Sequence, residues 1–280
     1  MGATRIVVWI GFIAACTEEP APATLFISDY RANAIVRYDG NTGELVDVFA
    51  EIDRPASIQP GPDGELYTAG FGRGDVSRYA DRTPSIFFYD TTVLEEPMQL
   101  AWDRGELLVL GNDTQNMVVI DPAGQMMRQF GYPTMRGAQD FVVAPTGEVF
   151  VATEAHPELG SAIQVWDRTT GTLLRHFGSE LAFASGIALA DGVLYATDFE
   201  RNTVTRFDPE TGQSLGILVA DLHSPARVHV GPDGALYVLD STGLLRFDRE
   251  TGAFLGVFAS VGDGVLQRPL GFTFVAGMAP

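Results

Sequence analysis

The chain has 280 residues and a formal net charge of −18, with 46% apolar residues and a single cysteine. It contains no lysine, so all 18 basic side chains are arginines. This balance argues against nucleic acid as a partner, because no basic stripe is available to neutralise phosphates; the lone cysteine excludes an intramolecular disulfide, and the apolar fraction suffices for a sizeable core.

Taken in chain order, Met1 to Cys16 carries Arg5, an apolar stretch from Ile6 to Ile13, and then Ala14-Ala15-Cys16. A short positive region, an apolar core and small residues before a cleavage point describe a secretory signal, too short to span a bilayer. Ile13-Ala14-Ala15-Cys16 resembles the bacterial lipobox, whose cysteine becomes the lipidated N-terminus of the mature protein. The resemblance implies that Cys16 carries the lipid and that membrane contact is through this anchor alone. Thr17 stands where an Asp commonly retains such proteins at the inner membrane, so the resemblance implies the outer membrane, facing the periplasm. Residues 17–23, polar and proline-containing, read as a flexible tether.

From Thr24 onward one unit recurs. It reads TLFISDYRANAIVRYDGNTGELVDVFA from Thr24 to Ala50, LYATDFERNTVTRFDPETGQSLGILVA from Leu194 to Ala220, and ALYVLDSTGLLRFDRETGAFLGVFA from Ala235 to Ala259. A repeat of about forty residues holding four short strands is the pattern of a β-propeller, each repeat making one blade. Gly64, Gly105, Gly147, Gly192 and Gly234 each close a turn and precede an apolar-rich strand, which marks five complete blades. Asp39 to Gly43, Asp167 to Gly171, Asp208 to Gly212 and Asp248 to Gly252 all read Asp-x-x-Thr-Gly, and these carboxylates are expected to close the outer turns. The first copy lacks an inner strand, while Arg268 to Ala276 is an inner strand with no blade after it. Joining the two closes the ring and completes a sixth blade, which removes two exposed edges. The expected organisation is therefore a leader over 1–16, a tether over 17–23 and an all-β, six-bladed propeller over 24–277, four antiparallel strands per blade. It is expected to be monomeric.

The repeated phrase Pro-Asp-Gly-x-Leu-Tyr-Val-x-Asp, clearest at Pro232 to Asp240, and Arg-aromatic-Asp at Arg37 to Asp39, Arg206 to Asp208 and Arg246 to Asp248 resemble the NHL-repeat propellers. Similarity to gluconolactonase/regucalcin-like and YWTD propellers is looser. Function in such rings sits at the mouth of the central channel. Six residues past each anchoring Gly stand Gly70, Gly111, Thr153, Asp198 and Asp240, with Asp29 in the first blade. Asp29, Asp198 and Asp240 accompany Arg37, Arg206 and Arg246 in the third strand of the same blades, two blades lacking the Asp carry Val119 and Val165 there, and the second blade alone breaks the pattern with Arg78 but Gly70. This co-occurrence predicts charge pairs between second and third strands; the alternative is an acidic rim that binds a cation or polyhydroxyl ligand. The inner strands open on Ser57, Gln99, Asp140, Gly186, Arg227 and Gly271, which differ from one another as the members of a specific site do. Gln99, Asp140 and Arg227 are expected to line a polar pocket at the channel mouth.

The gluconolactonase-like resemblance implies a divalent metal held by Glu, Asn and Asp in phrases opening inner strands. The corresponding phrases here are Pro55-Ala56-Ser57, Pro97-Met98-Gln99, Ala138-Gln139-Asp140, Ala184-Ser185-Gly186 and Pro225-Ala226-Arg227, none with Asn or Asp in the middle. A hard cation needs several converging oxygens, so no metal or other cofactor is expected. A streptogramin lyase-like site would need His and acid around its metal; His223 and His229 flank the start of the sixth blade's inner strand, and His156 lies in the longest second-to-third-strand loop. The reading is a lipid-anchored envelope propeller that binds a protein or small polar ligand, with a hydrolase or lyase at the channel mouth as the rival.

Overall fold

The structure is a computed structural model that describes residues 23–154, 156–160 and 162–277. The leader, Cys16 and residues 17–22 of the tether lie outside the described residues. The protein is an all-β propeller of six sheets, each with four antiparallel strands. The first blade runs outward from Pro269–Ala276 through Ala23–Asp29 and Ala34–Asp39 to Leu45–Glu51. The inner strands of the second to sixth blades are Pro55–Pro60, Pro97–Asp103, Ala138–Val143, Ala184–Ala190 and Arg227–Val230. The C-terminal strand thus completes the N-terminal blade as the sequence predicts, with Ala276 opposite Ala23 and Gly271 opposite Ser28.

Alternation within each strand sends apolar side chains to the blade faces, and adjacent faces bury them as six cores, one per blade interface. The closing interface is built from Leu25, Ile27, Tyr237, Leu239 and Phe272, with the Tyr237 ring 4.9 Å from that of Phe274. The turn residues do what their types allow. Asp39 accepts from the amides of Asn41 and Thr42, and Asp167, Asp208 and Asp248 repeat the arrangement in their own blades. These backbone bonds hold Asp39, Asp167 and Asp208 below the usual carboxylate range. In the Pro-Asp-Gly turns, Asp63 and Asp233 accept both from a turn amide and from the hydroxyl of Tyr67 or Tyr237. The phrase Asp-Gly-x-Leu-Tyr is thus a turn and its lock.

Five inner strands begin with a β-bulge, read from register shifts at Pro55/Ser57, Pro97/Gln99, Ala138/Asp140, Ala184/Gly186 and, across from Ser28/Asp29, between Pro269 and Gly271. A bulge sets two residues against one on the partner strand. Here it lets neighbouring residues such as Met98 and Gln99 both serve the channel, one at the mouth and one on the axis.

Candidate functional site

On the axis, the six inner-strand positions singled out by the sequence come together, though as a closed clasp. Ser57 Oγ donates to Gln99 Oε1, and Gln99 Nε2 donates to Asp140 Oδ1 at 2.8 Å. Asp140 also accepts from the amides of Phe141 and Ile187, both at 2.9 Å. Arg227 lies with its Nε 3.8 Å from Asp140 Oδ2, donates from Nη1 to Ser185 O at 2.9 Å, and crosses the ring from Nη2 to Met98 O at 3.1 Å. Asp140 is 0% and Arg227 2% exposed, so an ion pair is buried at the centre of the ring, and its charges are satisfied chiefly by backbone groups. Gly186 belongs to the same layer for steric reasons: a Cβ there would stand 2.7 Å from Arg227 Cα. The first blade joins through Ser28 Oγ, which donates to the carbonyls of Ala56 and Gly271. All six blades are tied at the waist.

The three rim aspartates are buried caps. Asp29 accepts from the amides of Arg31, Ala32, Gln267 and Arg268. Asp198 accepts from Ala182, Phe183, Glu200 and Arg201 amides and from the Arg201 guanidinium. Asp240 holds the His223 and Thr242 amides together with the Thr242 hydroxyl. Each carboxylate fastens the loop after its own strand to the chain entering the blade.

The expected pairing of these aspartates with Arg37, Arg206 and Arg246 is corrected by the register. Arg37 stands opposite Phe26, Arg206 opposite Tyr195 and Arg246 opposite Tyr237, three residues from the aspartate in each case, or about 10 Å along a strand. The arginines serve the other end of the blade instead: Arg37 pairs with Asp47 at 2.9 Å, Arg246 with Asp233, and Arg206 Nη1 donates to Glu250 O. Repetition of both residues in the same blades reflects two separate locks. Where the second strand ends in Gly, the facing strand supplies the polar group: Asp75 faces Gly70 and Asn116 faces Gly111, and a Cβ on Gly70 would meet the Asp75 carboxylate at 2.3 Å.

Asp198→Ala is expected to cost about 1–3 kcal/mol, the penalty for buried donors left unsatisfied. Its effect should add to that of Arg206→Ala within about 0.5 kcal/mol, because the two share no contact. Urea unfolding of the four proteins measures this, and a coupling well above that margin would restore the direct pair.

Above the clasp, at the face where inner strands begin, a cavity of about 230 Å³ is lined by Tyr30, Phe71, Met98, Asn112, Gln139, Arg268 and Leu270. The Tyr30 and Phe71 rings meet edge to face at 5.4 Å. Arg268 and Arg54 place their guanidinium carbons 5.6 Å and 5.9 Å from the Tyr30 ring centre, within cation–π range. Sequence counting missed this cup by one residue: Tyr30, Phe71 and Asn112 follow Asp29, Gly70 and Gly111, and Met98, Gln139 and Leu270 precede Gln99, Asp140 and Gly271. The histidines do not converge. His156 Nδ1 accepts from the Glu158 and Leu159 amides, His223 is exposed with Nδ1 3.9 Å from Asp240, and His229 packs against Phe272 with ring centres 4.7 Å apart and a tilt of 39°. Among the described residues no three of His, Cys, Asp and Glu form a group that could hold a metal ion.

No protein-family model matches the chain, and no curated protein matches it. Among solved structures it is similar to a chain of the nidogen/laminin complex, at 15% identity and a TM-score of 0.75, over 92% of this chain and 100% of that one. It is also similar to a virginiamycin B lyase from Staphylococcus aureus, at 17% identity and a TM-score of 0.57, over 70% of this chain and 67% of that one. A third likeness is to a protein described as a 6-phosphogluconolactonase from Bacteroides fragilis, at 16% identity and a TM-score of 0.62, over 91% and 98% of the two chains. At these identities the likeness establishes the fold and nothing finer.

Proposed function

We propose that this propeller is a binding module of the NHL-like kind, held to the bacterial envelope by a lipid on Cys16, which receives its ligand in the cup at the upper mouth. The observation that carries the reading is the state of the clasp. Ser57, Gln99, Asp140 and Arg227 are spent on one another and on backbone groups, so the most polar cluster of the channel holds the ring together. The cup above it is preformed, with an aromatic wall, an apolar floor of Met98 and Leu270, and the exposed guanidinium of Arg268 at its edge. That combination suits a ligand with a flat or apolar face and an anionic group.

The point of attachment agrees with this orientation. Ala23 pairs with Ala276 at the end of the innermost strand, so the tether joins the face opposite the cup, and a lipid on Cys16 would leave the mouth pointing away from the membrane. The lipid-dependent part is tested by fractionation: Cys16→Ser is expected to leave the membrane fraction or accumulate as precursor, since an acyl chain contributes about 0.8 kcal/mol per buried CH₂. An unmodified Cys16 in the mature protein rejects it. Binding is tested by retaining small molecules and proteins from envelope extract on immobilised wild type and on Tyr30→Ala/Arg268→Ala. A species held by the first and lost by the second supports the cup, and equal retention by both overturns it. The rival hydrolase or lyase has a different signature, turnover of a lactone or related substrate abolished by Asp140→Asn.

A further inference from the structure

Below the clasp, where the inner strands run out, lies a second chamber of about 350 Å³. Its lining includes the apolar side chains of Ala101, Val142 and Ala188, and its polar side chains are those of Gln59, Gln99, Trp102, Asp103 and His229. Three of these are already engaged through at least one atom. Gln59 Oε1 accepts from Thr273 Oγ1 at 3.2 Å, Gln99 belongs to the clasp, and Asp103 is bound by Arg168 at 2.6 Å. His229 is different. Its ring packs on Phe272, yet neither of its nitrogens hydrogen-bonds to any described residue. A volume of this size, apolar side chains in the wall and an imidazole open to a ligand are the composition of a small-molecule site near the lower end of the usual size range.

We propose that this chamber is a second binding site, separate from the upper cup, for a small neutral molecule with an apolar body and one hydroxyl that hydrogen-bonds to His229. The molecule must be neutral because the chamber holds no unpaired charge to replace the hydration of an ion. Its hydroxyl is placed on His229, whose imidazole lines the chamber beside the Phe272 ring. Burial lowers the imidazole's affinity for a proton, with Asp140 opposing and Arg227 assisting, so at neutral pH the ring is uncharged and one nitrogen is available as an acceptor. The clasp closes the chamber toward the upper mouth, since Gln99 belongs to both.

The test uses 4-fluorophenol as probe, followed by fluorine NMR on the mature protein at pH 7.5. Saturable binding is expected. His229→Phe, which keeps a ring against Phe272, should weaken 4-fluorophenol by up to about tenfold, the worth of one hydrogen bond, while leaving 4-fluorotoluene unchanged. Ala101→Leu or, should that variant fail to unfold cooperatively, Ala188→Leu fills the chamber and should remove binding of both probes. Tyr30→Ala in the upper cup should alter neither. The proposal is overturned by the absence of saturable binding, by binding that survives a folded filling variant, or by binding that is lost with Tyr30→Ala, which would place the probe in the upper cup.

Discussion

Ending the chain after Val261 is expected to abolish cooperative folding. The deletion removes Pro269–Ala276, the innermost strand of the blade that the N-terminus begins. With it go Phe272 and Leu266 from the closing core, and the Gln267 and Arg268 amides that satisfy Asp29. Loss of a buried Phe alone costs about 3–5 kcal/mol, against a total stability of about 5–15 kcal/mol for a typical domain. The truncation adds to this an unpaired edge along Ala23–Asp29 and an uncapped buried carboxylate. Calorimetry on the truncated protein should show no cooperative transition. A milder form of the same test is Phe272→Ala, for which a loss of about 3–5 kcal/mol is expected. A soluble monomeric truncation with an unchanged melting temperature contradicts the closed ring.

Replacing Asp140 is the second large effect. Asp140→Ala leaves Arg227 charged, 2% exposed and without its carboxylate, and frees the Gln99 amide and the Phe141 and Ile187 N–H groups. Breaking a buried pair from one side costs about 3–5 kcal/mol. Arg227→Met should be destabilising from the other side, and the double change should cost less than the sum by about 0.5–3 kcal/mol, the range for directly coupled residues. Urea midpoints of the four proteins measure both quantities. Single changes that shift stability by less than about 0.5 kcal/mol, the range of ordinary surface substitutions, would show that the waist does not hold the ring.

The fold was legible because its punctuation is chemical. Asp-x-x-Thr-Gly and Pro-Asp-Gly specify turns through side-chain bonds to nearby amides, and these recur in sequence as they recur in space. Ring closure was legible because an orphan strand and an incomplete blade can satisfy each other. Gln99, Asp140 and Arg227 were legible as companions, because copies that differ at equivalent positions mark a place where blades meet. Their role was not, since whether a buried pair faces a ligand or the backbone depends on distances across the ring. The error at Arg37, Arg206 and Arg246 came from treating co-occurrence as contact: residues in successive strands touch only in register, and register is fixed by hydrogen bonding across the hairpin. The cup residues Tyr30, Phe71 and Met98 lay one position away from those counted. For Met98 the reason is the bulge at Pro97/Gln99, an irregularity that no alternating pattern announces. For Tyr30 and Phe71 it is the end of the strand, where a buried last residue is followed by one at the mouth.

Binding at the upper mouth of the channel, with no chemistry at its waist, is the function proposed. It is tested most directly by taking whatever the wild-type protein retains from envelope extract, incubating it in excess with wild type and with Tyr30→Ala/Arg268→Ala, with and without added divalent metal, and following it by mass spectrometry. The account predicts that the species is recovered with its mass unchanged, bound by wild type and released by the double variant. Conversion of the species by wild type at many molecules per molecule of protein, stopped by Asp140→Asn in a variant that still unfolds cooperatively, would contradict it.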